Sequence, residues 1–389
     1  MERLFDNTEI AFSSMNDAEL NRAYLLFKMI GNANLVKVGT SLTNFALKLN
    51  LPVEGLIRKT VFDHFVGGTT ENECLRVASK MYSKGVSSVL DYSVEGKEDE
   101  QSFENALQMT LNTVDFAIVH KGFPFVVFKP SGFGPMDLYQ KIGEGKELTQ
   151  NEAMEWGRVT GRFDRVCKKA YENNISVLVD AEETWIQDAA DKLTVEMMQK
   201  YNKNEAIVYN TLQMYRHDRL PYLKELHAKA KAEGFHIGMK VVRGAYMEKE
   251  RKRAEEFGYP SPICPTKEAT DQNYDSAIAY MIENIDSMAV YAGTHNESSS
   301  YQLMRLMDQK GLAKNDKRVW FGQLYGMSDN ISYNLAAAGY NVSKYLPFGP
   351  VRDVMPYLIR RAQENTSVEG QSSRELSLIE AERNRRKRR

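Results

Sequence analysis

The sequence predicts an α/β protein, a (β/α)8 barrel of the TIM type that follows an N-terminal helical arm. From about residue 85, short apolar runs rich in β-branched residues alternate with longer amphipathic segments, which is the pattern of repeated strand–helix units. Eight such units in about 300 residues match the number and the length that a (β/α)8 barrel requires. The eight predicted strands are residues 86–90, 125–128, 176–179, 206–209, 237–242, 288–292, 318–321 and 341–346.

The segments between the later strands are predicted to be helices. They carry apolar residues at helical spacing and cover residues 151–172, 212–233, 269–285, 298–309 and 328–338. An open, doubly wound sheet is the rival arrangement for the same alternation. No Gly-x-Gly-x-x-Gly sequence follows the first strand, which argues against the dinucleotide-binding form of that rival.

Residues 1–70 are predicted to form the helical arm, residues 71–366 the barrel and residues 367–389 a basic tail. In the arm, segments 17–30, 35–49 and 53–66 have helical periodicity, and glycine or proline residues separate them. The tail is rich in Ser, Glu and Arg and ends in a run of basic residues. Such a composition predicts a mobile, solvated end, with a weak contact to anionic lipid head groups as the functional alternative.

The composition limits the classes of function. The chain has 389 residues, 42% of them hydrophobic, and a net charge of -1, so it can bury a sizeable core but carries no overall field for nucleic acid. Its three cysteines lie far apart, which fits a reducing compartment. The sequence shows neither a secretory signal pattern nor an apolar run long enough for a membrane span. We therefore expect a cytoplasmic protein, at most attached peripherally to the inner face of a membrane.

Polar residues follow nearly every predicted strand. Because the active sites of (β/α)8 barrels lie at the carboxyl ends of the strands, a ring of such residues predicts a functional site. The members of the ring are Lys129, Asp180, Glu182, Asn210, Gln213, Lys240, Arg243, Thr294, His295, Asn296 and Gln323.

The residue types in this ring favour an anionic ligand. Asp180, Glu182 and His295 could in principle bind a divalent metal. Lys129 and Lys240 lie in the same ring, and with the arginines they favour a carboxylate substrate or a phosphate-bearing cofactor, so no metal is expected. The sequence has neither a Gly-x-Ser-x-Gly elbow nor a suggestive Cys/His pair, which argues against acyl transfer. Taken singly, Lys129 or Lys240 could instead form an ion pair in the barrel floor, and His295 could be structural.

The last predicted helix carries a second group of cations. Tyr357, Arg360, Arg361 and Glu364 stand at positions i, i+3, i+4 and i+7, so they share one helical face. An arginine fork binds a carboxylate through two parallel charge-assisted hydrogen bonds. This face therefore suits a small anion, and the alternative is an ordinary solvated basic surface.

Five motifs together give the chain a family resemblance. They are Val-Asp-Ala-Glu-Glu-Thr at 179–184, Lys-Val-Val-Arg-Gly-Ala-Tyr at 240–246, Gly-Thr-His-Asn-Glu at 293–297, Phe-Gly-Gln-Leu-Tyr-Gly-Met at 321–327, and the block 345–365. With these motifs, residues 72–366 resemble the proline dehydrogenase family. The second motif looks like the monofunctional, mitochondrial-type branch, because the bifunctional bacterial members usually carry arginine at position 240 and lysine at position 243.

The resemblance implies a distorted barrel with FAD at its mouth and with the last helix closing over the substrate. The implied reaction is oxidation of L-proline to Δ1-pyrroline-5-carboxylate by hydride transfer to flavin N5, the first step of proline catabolism to glutamate. Electrons would then pass to a membrane quinone.

The resemblance also implies roles for particular residues. Arg360, Arg361 and Lys129 would bind the proline carboxylate, and Tyr345 and Tyr357 would enclose the ring. Lys129, Asp180, Lys240 and Tyr246 would be catalytic, with Lys240 beside the flavin and Asp180 orienting Lys129 or Tyr246. The residues implied around FAD are Asp180, Ala181, Asn210, Gln213, Lys240, Val242, Arg243, Gly244, Thr294, His295, Asn296, Gln323 and Glu364.

Three rival functions remain open at this point. A hydroxyproline dehydrogenase is the nearest, although the bulk of Tyr345 favours unsubstituted proline. A flavin-free barrel lyase would use a Lys/Asp pair for proton abstraction. A membrane- or DNA-binding module would depend on the basic tail.

Overall fold

The computed structural model describes residues 3–31, 36, 39, 54–93, 98–367 and 371–388, without the side chains of residues 56, 59, 362–367, 371 and 372. Eight strands close into a barrel in chain order, which confirms the predicted (β/α)8 fold. The strands are β1 Val86–Tyr92, β2 Phe125–Phe128, β3 Ser176–Val179, β4 Val208–Gln213, β5 Ile237–Val242, β6 Met288–Gly293, β7 Val319–Leu324 and β8 Val342–Phe348.

Sixteen α-helices are present in the part of the chain that the structure describes. They are α1 Thr8–Ala11, α2 Asp17–Ile30, α3 Glu54–Ile57, α4 Asp63–Phe65, α5 Glu71–Tyr82, α6 Glu100–Val119, α7 Met136–Gly143, α8 Gln150–Glu172, α9 Thr184–Tyr201, α10 Arg219–Glu233, α11 Met247–Phe257, α12 Lys267–Glu283, α13 Glu297–Gln309, α14 Asp329–Ala337, α15 Val351–Ser367 and α16 Gln371–Lys387. The arm helix predicted at 35–49 lies almost entirely outside the described residues.

Two boundary predictions need correction. The fourth strand continues to Gln213, whereas the sequence predicted a helix from residue 212. Leu212 and Gln213 are both buried in the strand. Over so short a segment, the spacing of the apolar residues is compatible with a strand or with a helix. The helix begins only at Arg219. Within the arm segment predicted at 53–66, residues 54–65 are helical, and their middle, Arg58–Phe62, is a π-helix.

The chain divides into two compact units, which are described separately. The central unit is Gly96–Gly322, and the terminal unit comprises Met1–Glu95 with Gln323–Arg389. In the central unit an aromatic cluster fills the lower barrel: the ring of Phe125 makes edge contacts with Tyr209, Tyr291 and Trp320 at centroid distances of 5.6, 5.2 and 5.2 Å. These contacts identify the inward-facing positions of their strands.

The inward face of β4 and β5 follows from this cluster. A Cβ atom at Gly238 would lie 2.6 Å from the Tyr209 ring, so glycine leaves room for a large inward side chain on the neighbouring strand. Since side chains alternate along a strand, Thr211 and Gln213 share the inward side with Tyr209. By the same rule Lys240 shares it with Gly238.

In the terminal unit, β1 and β8 pair in parallel, from Val86 opposite Val342 to Tyr92 opposite Phe348. The apolar side of α15 packs on the arm, where Val354 and Leu358 belong to one buried cluster with Leu26, Phe62 and Phe65. This packing accounts for the apolar periodicity of α15, and Tyr357 belongs to the same cluster.

The predicted mobile tail is wrong for residues 371–388. Helix α16 buries Leu378 and Ile379 against the N-terminal segment. Arg386 donates hydrogen bonds to the carbonyl oxygens of Phe12, at 2.9 Å, and Met15, at 3.0 Å. The basic composition suggested a solvated end because its partners are more than 350 positions away in the sequence.

Candidate active site

A carboxylate between two ammonium groups forms the centre of the candidate site in the central unit. Asp180, at the end of β3, accepts a hydrogen bond from Lys240 Nζ through Oδ1, and its Oδ2 lies 3.9 Å from Lys129 Nζ. The side chains of Lys129, Asp180 and Lys240 are only 17%, 15% and 8% exposed. The two ammonium groups of this cluster favour an anionic ligand. Asp180 thus lies closer to Lys240 than to Lys129, and its predicted role in orienting Lys129 or Tyr246 stays a prediction.

The structure gives Arg243 a supporting position. Its Nε donates to Asp271 at 2.6 Å, and its two terminal nitrogens donate to Thr294 Oγ1 and Ser299 Oγ, both at 2.8 Å. The guanidinium also lies 4.3 Å from the centroid of the Tyr274 ring. These contacts join β5 to the turn after β6 and hold Thr294 in place.

That turn leads directly into the N-terminus of α13. Asn296 accepts a hydrogen bond from Ser299 N at 3.1 Å, and its own backbone N–H donates to Thr294 Oγ1 at 3.1 Å. Asn296 is therefore the N-cap, preceded by the half-buried His295. The first amides of a helix this long favour negative charge, so the arrangement suits a phosphate.

Gln213 supplies a buried acceptor in the same unit. Its Nε2 donates to the carbonyl oxygen of Glu182 at 2.8 Å. Within the described part of the chain, its Oε1 is buried and has no hydrogen-bond donor. A buried acceptor without a donor costs about 1–3 kcal/mol, so a ligand N–H at this position would be stabilised.

Glu182 was considered in the sequence only as a metal ligand, and the structure gives it another function. Its carboxylate accepts hydrogen bonds from Ser131 N at 2.8 Å and Ser131 Oγ at 2.6 Å. Burial raises the pKa of Glu182 to about 7, although these hydrogen bonds act to lower it. Among the described residues, no group of three His, Cys, Asp or Glu side chains could hold a metal ion.

Two predicted cofactor residues turn their side chains away from the barrel interior. Asn210 Nδ2 donates to Asp191 Oδ1 on α9 at 2.9 Å, because Asn210 alternates with the inward Tyr209 and Thr211. Gln323, in the terminal unit, accepts from Ser332 Oγ on α14 at 2.9 Å. The prediction that these two residues bind FAD stays a prediction.

The remaining predicted residues of the central unit are at turns. Gly244 has φ of 119°, and a Cβ there would lie 2.4 Å from the Tyr215 ring, so no other residue fits. Ala181 and Val242 are partly exposed at strand ends, and Tyr246 is the half-buried residue that precedes α11. These positions can offer backbone groups or a phenol to a ligand.

The terminal unit contains the predicted arginine helix, α15. Tyr357 and Arg361 are 6% and 8% exposed, and the Arg361 guanidinium lies 5.3 Å from the Tyr357 ring centroid. Arg360 is half-buried, and Tyr345 on β8 is buried. The shared face is confirmed for Tyr357 and Arg361, and burial excludes the solvated-surface alternative for Arg361. The side chain of Glu364 lies outside the described residues.

The turn after β7 is held by a cluster that sequence reasoning missed. Lys344 on β8 is buried, and its Nζ contacts Asp329 Oδ1 and the Met327 carbonyl oxygen, both at 2.6 Å. His64 of the arm contacts the Gly326 carbonyl oxygen at 3.0 Å through Nε2. The sequence could have indicated this cluster, because Lys344 lies within an apolar strand and a buried charge requires polar partners.

His64 should make the fold sensitive to acid. Burial lowers the pKa of His64 from 6.5 to about 4, so between these values the unfolded chain binds a proton that the folded chain does not. Stability is therefore lost as the pH falls from 6.5 towards 4, by about 2 kcal/mol when the partial exposure of the ring is considered. Urea unfolding at pH 7.5 and 4.5 should show a smaller acid loss for His64→Gln than for the parent.

The exposed His217 offers a matched control for this measurement. His217→Gln should lose as much stability in acid as the parent. An equal loss for His64→Gln would mean that His64 is protonated in the folded protein.

Together, the barrel and the lysines at its strand ends define a (β/α)8 protein with a cationic candidate site. The proline dehydrogenase profile matches residues 74–374. The chain therefore belongs to the proline dehydrogenase family, and it is an oxidoreductase.

The individual relatives have names that state different functions. The chain is 36% identical to the carbapenem antibiotics biosynthesis protein CarD of Pectobacterium carotovorum, over 92% of this chain and 93% of that one. It is 30% identical to the mitochondrial proline dehydrogenase 1 of Arabidopsis thaliana, over 96% and 85%. It is 31% identical to the hydroxyproline dehydrogenase of Xenopus laevis, over 96% and 88%.

Among solved structures, the chain is similar to proline utilization A from Bdellovibrio bacteriovorus inactivated by N-propargylglycine. The TM-score is 0.73 at 22% identity, over 92% of this chain and 38% of that one. The chain spans well under half of that protein, so this likeness concerns the fold alone.

Proposed function

We propose that this protein oxidises L-proline to Δ1-pyrroline-5-carboxylate, with FAD as the hydride acceptor. The observation that carries the proposal is the Lys129–Asp180–Lys240 cluster at the strand ends of the central unit. Its two ammonium groups suit a carboxylate substrate and a flavin that becomes negative on reduction. The family membership supports this choice over a flavin-free lyase.

The residues of the central unit fit FAD. The buried Gln213 Oε1 offers an acceptor to a flavin ring N–H, and Lys240 offers a cation beside the ring. The N-terminus of α13, with Thr294, His295 and Asn296, suits the pyrophosphate. Arg243 would support this turn, while Ala181, Val242 and Gly244 would contribute from their backbones. When bound, FAD supplies N5 as the acceptor of a hydride from the carbon beside the proline nitrogen.

The protein's own side chains prepare the substrate. The amine must be neutral before its neighbouring carbon can lose a hydride, and the ammonium groups of Lys129 and Lys240 lower the pKa of a nearby amine. In the central unit, Lys129 offers a cation to the substrate carboxylate. In the terminal unit, Arg360 and Arg361 offer cations for a carboxylate, and Tyr345 and Tyr357 offer aromatic side chains for the ring. Lys240 is held in position by Asp180, so its charge requires no reorganisation during the reaction.

A membrane quinone is the proposed final electron acceptor, which requires at least a transient peripheral contact with a membrane. No helix in the described ranges is long and apolar enough to cross one. Basic residues of α16 help to attach this helix to the N-terminal segment, since Arg385 pairs with Glu9 and Arg386 pairs with Asp17. We therefore assign the membrane contact to another surface. Whether the product serves catabolism or biosynthesis depends on the enzymes that use it, as the name of the Pectobacterium relative illustrates.

The proposed function is tested by the absorption spectrum of the purified protein. We expect flavin bands that disappear when L-proline is added without oxygen. Pyrrolidine, which lacks the carboxylate, should bleach the flavin far more slowly. An unchanged spectrum under saturating L-proline would contradict the proposal, and a colourless protein that cannot be reconstituted with FAD would favour the lyase.

Hydroxyproline is the second candidate substrate, because a hydroxyproline dehydrogenase is among the relatives of similar length. Tyr345 is buried on β8, and its bulk should exclude a ring hydroxyl. Tyr345→Ser should therefore raise the ratio of kcat/KM for hydroxyproline to that for proline. We expect a change of about tenfold, which is the discrimination that a pocket typically achieves against one additional small group. Tyr345→Phe, which keeps the ring, should retain the parent ratio. If serine leaves the ratio unchanged, Tyr345 does not set substrate choice.

A further inference from the structure

Glu182 is a buried carboxylate that the proposed reaction does not use. It is 5% exposed, and both of its oxygens accept from Ser131. Ser131 is in the short 3-10 turn Pro130–Gly132 that begins directly after Lys129. The carboxylate therefore fixes the backbone that carries Lys129.

The backbone of Glu182 fixes a second residue of the site. Its carbonyl oxygen accepts from Gln213 Nε2 at 2.8 Å, which decides the direction of the Gln213 amide. Because Nε2 is engaged there, Oε1 is left as the buried acceptor. One residue after β3 thus sets the position of groups after β2 and at the end of β4.

Glu182 is itself anchored from behind the barrel. Its backbone N–H donates to Gln187 Oε1 at 3.0 Å, and Gln187 Nε2 donates to Asp191 Oδ1 at 2.7 Å. Asp191 Oδ2 in turn accepts from Arg219 Nη1 at 2.7 Å. This buried chain of hydrogen bonds joins α9 and α10 to the turn and restrains its movement.

We propose that Glu182 is a positioning residue: its ionised carboxylate holds the turn that carries Lys129, its backbone carbonyl holds Gln213, and protonation of the carboxylate loosens the turn at Ser131. The role assigned to those two residues rests on the proposed function. The ionised form has two acceptor oxygens for the two Ser131 donors, whereas the protonated form has one good acceptor and gains a donor. One of the two hydrogen bonds is therefore weakened on protonation.

The environment of the Glu182 carboxylate makes its protonation occur near neutral pH. The charged and titratable groups facing it are Lys129 after β2, Glu183 on its own turn and Tyr139 on α7. Glu183 raises its pKa and Lys129 lowers it, and both effects are smaller than burial. Farther along the chain, Lys249 pairs with Glu183, and Glu250 accepts hydrogen bonds from Thr184.

Hydrogen exchange at the Ser131 amide tests the positioning directly in the purified protein as it is isolated. After correction for intrinsic exchange, protection in the parent should increase between pH 6 and pH 8. Glu182→Gln should show a constant protection, similar to that of the parent at low pH. Glu182→Ala should reduce protection about tenfold, the effect of removing one charged hydrogen bond. Glu183→Gln, on the same turn, should keep the pH-dependent protection but move its midpoint to lower pH, because the charge of Glu183 raises the pKa of Glu182.

The pH dependence of proline oxidation separates the positioning role of Glu182 from the proposed function. In the parent, kcat/KM for proline should change with an apparent pKa near that of Glu182, and Glu182→Gln should remove this component of the pH profile. If the exchange results are as expected but the parent does not oxidise proline, the positioning holds and the proposed function fails. If the parent oxidises proline but Glu182→Gln retains both the parent pH profile and its pH-dependent exchange, Glu182 has no positioning role. Should the alanine variant not fold, the glutamine variant alone decides the question.

Discussion

Replacing Lys240 with alanine is expected to slow hydride transfer by on the order of a hundredfold and to lower the reduction potential of the flavin. Lys240 is buried on β5, and Asp180 holds its ammonium group. A preorganised charge of this kind stabilises negative charge that develops in the transition state, by about 3 kcal/mol for one donor. Rapid-mixing measurements of flavin reduction by proline would give the rate, and equilibrium with dyes of known potential would give the thermodynamic effect.

The affinity for proline should change much less than the rate, because the proposed contacts to the carboxylate involve other residues. Lys249→Ala is a suitable control, since Lys249 also pairs with a glutamate in the central unit but is 57% exposed. It should retain the parent rate and potential. If Lys240→Ala also keeps the parent potential, the lysine serves only to neutralise Asp180.

The barrel could be predicted because each strand is a short apolar run between polar turns. The predicted bounds of three strands are those observed: β2 Phe125–Phe128, β3 Ser176–Val179 and β5 Ile237–Val242. The fourth strand was misjudged because Leu212 and Gln213 are buried in the sheet although the residues beyond them have helical periodicity. Only the pairing of Gln213 with Val242 on β5 resolves the ambiguity.

Within the site, strand ends alone were not a sufficient guide. Lys129, Asp180 and Lys240 do come together, as expected for residues at adjacent carboxyl ends. Asn210 and Gln323 are equally near strand ends, but their side chains bind residues of helices α9 and α14. Side chains alternate along a strand, so counting from the inward Tyr209 would have predicted an inward side chain for Gln213 and an outward one for Asn210.

The contacts that sequence reasoning missed join residues far apart in the chain. His64 and Gly326 are 262 positions apart, and Ser131 and Glu182 are 51 apart. No local pattern identifies such pairs, since each residue type is ordinary where it stands. The same reason explains the tail, whose arginines looked solvated until their N-terminal partners were known.

Replacing Arg361 or Arg360 with methionine is expected to raise the KM for proline strongly while FAD stays bound. Adjacent residues are separated by about 100° around a helix, yet both side chains are long enough to converge on one carboxylate. Removing one charged hydrogen bond from a buried site costs roughly 1.5–3 kcal/mol, or about ten- to a hundredfold in KM. We expect the larger effect for Arg361, because it is the more buried of the two and stacks near Tyr357.

The same helix provides the control for this prediction. Arg352 is exposed and pairs with Glu54, so Arg352→Met should leave the KM unchanged even though it removes the same charge from α15. Lysine at position 361 should restore only part of the affinity, because an ammonium group cannot form the bidentate contact. Carboxylate-bearing competitive inhibitors should weaken in parallel with proline, whereas binding of pyrrolidine should be nearly unaffected. If the methionine variants at 360 and 361 keep the parent KM and inhibitor affinity, α15 does not bind the carboxylate, and the burial of Arg361 serves only its packing against Tyr357.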